Sequence, residues 1–161
     1  FPHSWEIAPL IDTVWFNEGF GRYAAIDALA DGLPPGQRED FHARQVARLR
    51  AIVDNAPPPI RRMSLVELSR VASVLYSLDF RTGMNTFARG GLMAAEMDGR
   101  IRERTKGAKR LRDALRFMPG WVSRIGRGFR IEEFAAIVRE ATGVDVADIY
   151  ERWLAAPGQR P

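Results

Sequence analysis

The chain has 161 residues, 46% of them hydrophobic and 27% charged, which suits one compact domain of ordinary soluble composition with enough apolar side chain for a core. It has no cysteine, which excludes disulfides and thiolate metal sites, and no apolar run near the roughly 20 residues of a membrane-spanning helix, so no membrane partner is expected. The net charge of +4 comes almost wholly from arginines that alternate with Asp and Glu as on solvated helix faces, and no nucleic-acid partner is expected either.

The apolar period is helical almost throughout, and the expected fold is all-α, a single helical domain over 1–161 built as a bundle of about seven helices. The first helix is expected from Thr13 to Ala30 with Asp12 as its N-cap, stopped by Gly32 and Pro34-Pro35. The second runs from Gly36 to Asp54 on a narrow stripe of Phe41, Val46, Leu49, Ile52 and Val53. Residues 55–63 are expected as a proline-rich internal linker, because consecutive prolines oppose helix. Ser64-Leu65-Val66-Glu67 has the spacing of a capping box and opens the third helix. A break is expected over Asp79 to Gly83.

The fourth helix is expected from Met84 to Lys106. Gly90-Gly91 inside it costs roughly 1 kcal/mol each relative to Ala, which implies close packing against a neighbour or space for a ligand. A short helix is expected over Ala108 to Met118, then a loop from Pro119 to Phe129 that holds Trp121. The sixth helix, Ile131 to Thr142, ends at Gly143, and Asp145 caps the last one.

The stretch Val14-Trp15-Phe16-Asn17-Glu18-Gly19-Phe20-Gly21-Arg22-Tyr23 is the most informative chemically. It sets one acid among aromatics on an apolar helix, where a buried carboxylate is costly unless it is paired or bound to a metal. An arginine four residues on, Arg22, is the plain structural alternative. Only two histidines are present, so no Ser-His-Asp set can be assembled, and no glycine-rich phosphate loop follows a strand. His42 lies on the charged side of its helix and is expected in solvent.

Trp15-Phe16-Asn17-Glu18-Gly19-Phe20 with Tyr23 resembles the gluzincin peptidase segment that follows the His-Glu-x-x-His helix and supplies the third zinc ligand, as in the alanyl and glycyl aminopeptidase-like families. Thr86-Phe87-Ala88-Arg89-Gly90-Gly91 resembles the start of a long helix in the glycyl aminopeptidase-like family. Thr142-Gly143-Val144-Asp145 with Tyr150-Glu151-Arg152-Trp153-Leu154 resembles its C-terminal pattern.

The resemblance implies that Glu18 is a zinc ligand, that His3 is the second histidine ligand, and that Asn17, Tyr23, Phe87 and Arg89 lie around the cleft. It implies zinc and a peptide substrate in an intact parent. It also implies a missing N-terminal part of the same protein as the partner of this chain, whose first residue is Phe1 and which has no His-Glu-x-x-His of its own. Where the family has a tyrosine that stabilises an oxyanion, this chain has Phe87, which has no donor; loss of such a donor lowers a rate by about 10²–10³. Tyr23 and Tyr76 are the other phenols to weigh. The 161-residue chain is therefore expected neither to hold zinc tightly nor to hydrolyse peptides, with a non-catalytic scaffold or binding module as the alternative and a basic helical nucleic-acid binder as the third reading.

Overall fold

The computed structural model describes residues 10–75 and 77–154. Among these residues there is no strand, and the all-α expectation holds, with eight α-helices where about seven were expected. A π-helix, Trp15–Phe20, leads into α1, Gly21–Asp31. Then come α2, Pro35–Asp54; α3, Pro58–Arg62; α4, Leu65–Leu75; and α5, Phe80–Arg104. A short 3-10 turn, Ile131–Glu133, separates α6, Leu111–Ile125, from α7, Phe134–Thr142, and α8 is Ala147–Leu154. The described residues form two compact units, one running to Leu92 and taking in Leu154, the other Met93–Trp153.

The first unit buries Trp15, Phe20, Tyr23 and Ile26 on the π-helix and α1, Leu49 on α2, and Leu65, Leu68 and Ala72 on α4. Its capping box is made as the spacing requires. Ser64 Oγ accepts the Glu67 N–H at 3.1 Å, and Glu67 accepts the Ser64 N–H at 2.7 Å. Those bonds, from the Ser64 backbone first and its hydroxyl second, hold the Glu67 carboxyl below its ordinary range. Asp12 does not cap the first helix. Its carboxylate is taken by Arg70, at 2.6 and 3.0 Å, because a forked guanidinium outcompetes a single backbone N–H for two oxygens.

The proline-rich stretch is not wholly extended. Pro57 is extended, and Pro58 and Pro59 then open α3. Prolines at the first helical positions lose no hydrogen bond and carry the right φ, so the rule against proline applies to a helix interior and not to its first turn. Ala56, Ile60 and Leu68 then make a small apolar cluster with Met63 against it.

The second unit buries Met93, Met97 and Ile101 of α5 with Leu111, Ala114, Met118 and Trp121 of α6, and Phe134, Ile137 and Val138 of α7. Helix α6 runs straight through Pro119 to Ile125, where a loop was expected. Leu111, Ala114, Met118 and Trp121 recur at spacings of three and four, so one continuous buried stripe outweighs a proline penalty of about 3 kcal/mol. Trp121 is accordingly a buried helical residue, not a loop anchor. Gly143 ends α7 at φ 77, with its N–H on the Arg139 carbonyl at 2.8 Å, and Asp145 accepts the Ala147 N–H at 2.9 Å, as expected of a stop and a cap.

Candidate functional site

The stretch that carries the resemblance is held by packing on one side and open on the other. Trp15, Gly19 and Phe20 are buried, while Asn17 and Glu18 are exposed. Rings lock the inner side: Trp15 stands edge-on to Phe16 at 5.8 Å and to Phe20 at 5.7 Å, and Phe16 lies 5.2 Å from Phe20. The Trp15 N–H donates to Ser69 Oγ of α4 at 3.2 Å. A π turn widens the helix, and such turns recur at functional sites.

The exposure of Glu18 corrects the premise that its carboxylate is buried among aromatics. The wide turn carries residues 17 and 18 to the outer side, so no desolvation penalty demands a cation there. Among the described residues Glu18 forms no ion pair with Arg22, and both side chains are exposed.

The stretches of the resemblance that hold Gly19 and Gly90-Gly91 meet. A Cβ on Gly19 would lie 2.5 Å from Gly90 Cα and 2.8 Å from Gly91 N, and a Cβ on Gly90 would lie 2.1 Å from the Trp15 carbonyl oxygen. The Gly90-Gly91 pair therefore serves close packing, the first of the two readings it allowed. The hydrogen in place of the Gly90 side chain points at the Trp15 oxygen, as in a Cα–H···O contact. Glu18 is thus fixed next to a backbone-to-backbone junction between the π-helix and α5.

The remaining candidates are placed differently from one another. Arg89 is buried with 2% of its surface exposed, and its guanidinium donates to Met63 O at 2.8 Å, Ile60 O at 3.1 Å and Arg61 O at 3.2 Å. It closes the carboxyl end of α3, where cations are favoured. Tyr23 is buried, with its hydroxyl 3.2 Å from Nε2 of His42 and the two rings edge-to-face at 5.5 Å. His42 is half-buried in this pair and not the solvent residue expected, because α1 and α2 pack as a hairpin and turn that part of α2 towards Tyr23. Phe87 is half-buried on α5, one turn before Gly90. His3 and Tyr76 lie outside the described residues.

Among the described residues no three His, Cys, Asp or Glu side chains converge as a metal would require. Glu18 supplies one oxygen donor of the right kind, and the described residues do not make a zinc site by themselves.

The second unit holds polar features the sequence did not single out. Asp98 is 1% exposed; it accepts the Leu111 N–H at 2.6 Å and faces the Arg110 guanidinium at 4.0 Å, so it caps α6 from α5. Glu96 is bound by the Trp153 indole N–H at 2.8 Å and by Arg152. Burial pushes the Glu96 carboxyl up, and these two donors outweigh it and bring it below the ordinary range. A half-open cleft of about 550 Å³ is lined by Arg100, Arg104, Thr105, Thr142, Gly143, Val144, Asp145 and Asp148. Its only sequence signals were the Thr142-Gly143-Val144-Asp145 stop-and-cap and the i, i+4 spacing of Arg100 and Arg104.

Comparison of the chain with protein-family models, with curated proteins and with solved structures finds no match.

Proposed function

We propose that this chain is the helical part of a gluzincin aminopeptidase-like region, and that its described residues perform no chemistry alone but present Glu18, on a rigid support, as one carboxylate for a zinc ion. The reading is supported by one observation above the others. Two of the three stretches whose residues resemble the family, Trp15–Phe20 and Thr86–Gly91, are pressed together through Gly19 and Gly90 with no side chain between them. An outward carboxylate beside that junction is suited to a ligand supplied to a metal whose other donors come from elsewhere.

A zinc ion held in such a region would polarise a peptide carbonyl and lower the pKa of a bound water. What this chain's own residues contribute is position. Trp15 and Phe20 anchor the π-helix, Ser69 ties its first turn to α4, and Asn17 stands beside Glu18 on the outer side.

A second reading, a scaffold that has kept the helical plan without the chemistry, is favoured by Phe87, which offers no phenol where the family has one. Metal analysis of the protein in its natural length separates the two. The first reading expects one zinc per chain, lost in Glu18→Gln. A natural-length protein without zinc, or one whose zinc content is indifferent to Glu18→Gln, overturns it and leaves the scaffold.

A further inference from the structure

The cleft of the second unit has a charge arrangement that selects for a particular ligand, and it owes nothing to the zinc reading. Four ionised side chains line it, two of each sign: Arg100, Arg104, Asp145 and Asp148. Arg100 and Asp148 face each other as a fork, one of its two bonds at 2.8 Å, and Arg100 also lies in the field of Glu96 and Asp145. That bond holds the Asp148 carboxyl below its ordinary range.

Arg104 stands one helical turn beyond Arg100, exposed, and forms no ion pair among the described residues. Asp145 uses Oδ1 on the Ala147 N–H, which leaves its second oxygen free. The hydroxyls of Thr105 and Thr142 donate to the carbonyls of Ile101 and Val138 and accept the Lys109 and Val144 N–H groups at 3.0 and 3.2 Å, so they are largely committed within the fold. The cleft therefore offers chiefly one free guanidinium and one free carboxylate oxygen.

A simple anion drawn to Arg104 meets Asp145 and Asp148, and a simple cation drawn to Asp145 meets both arginines. A molecule carrying both signs meets neither conflict. About 550 Å³ falls within the roughly 300–1,000 Å³ of small-molecule sites. We propose that this cleft binds the paired ammonium and carboxylate of a free amino acid or short peptide, the carboxylate on Arg104 and the ammonium on Asp145.

The test is an amide NMR titration of the 161-residue chain with L-alanine, trialanine, N-acetyl-trialanine and trialanine amide. Saturable shifts at Thr105, Gly143 and Val144 are expected with a zwitterion. Alanine alone marks an amino-acid site and trialanine a peptide site. Capping either charged end of the ligand that binds weakens it by about fivefold, the size of a partly exposed ion pair. In Arg104→Gln, amidating the carboxylate then makes no further difference. Absence of saturable shifts with both zwitterions overturns the proposal. So do capped ligands that bind as well as free ones, or an amidation effect that survives in Arg104→Gln.

Discussion

Arg89 keeps a guanidinium out of water to satisfy three carbonyl oxygens at the end of α3. Replacing it with Met keeps the volume and strands those oxygens, so Arg89→Met is expected to cost roughly 3 kcal/mol, read as a fall in the urea midpoint. A loss under about 1 kcal/mol would show the bonds to be idle. Glu133 offers a test by pH. The Arg127 fork first, then the Arg130 N–H, lower its carboxyl from 4.5 to about 2. A depressed carboxyl stabilises the fold fully above its unfolded value and loses that contribution as pH falls through the folded one. The turn before α7 should therefore weaken between about pH 4.5 and 2, and the Glu133 carboxyl carbon should titrate near 2, moving up in Arg127→Ala. At this scale the sequence revealed residue types and missed partners. The Ser64 and Glu67 pair was legible because both lie in one turn. Arg70 on Asp12, Arg89 on α3 and His42 on Tyr23 were not, because each joins residues far apart in the chain.

Helix α5 contains two glycines whose substitution should move stability in opposite directions. At Gly90 a methyl would meet the Trp15 carbonyl at 2.1 Å, a backbone atom that cannot step aside, so Gly90→Ala is expected to cost roughly 2 kcal/mol or more despite its better helix propensity. At Gly99 a methyl meets nothing within 4 Å, and Gly99→Ala should stabilise by about 0.5–1 kcal/mol. Thermal unfolding of both variants decides it; two shifts of the same sign would refute the close approach. The stop at Gly143 and the cap at Asp145 were legible, since both act through local geometry, whereas the cap expected of Asp12 was lost to Arg70. The course of α6 through Pro119, and the entry of Pro58 and Pro59 into α3, were not. In the first, a buried stripe overrode a local penalty; in the second, the penalty did not apply at a first turn.

Taken whole, the helical class was legible from periodicity, while the division at Leu92 and Met93 was not, because the apolar stripe of α5 continues across it. The surface arginines fit the expectation of alternating charge, with pairs such as Arg124 to Glu140 and Arg127 to Glu133. The chain itself should take up zinc no more tightly than a single surface carboxylate allows. Calorimetry on all 161 residues is expected to find no site in the nanomolar range, and a nanomolar site would mean that donors beyond Glu18 have been overlooked. Because the Gly19 and Gly90 junction is made of main-chain atoms, a methyl group at either position would wedge the two backbones apart and carry residue 18 with it, even with every ring around it in place. Two missing side chains thus set where that carboxylate stands as firmly as the aromatic residues that are present.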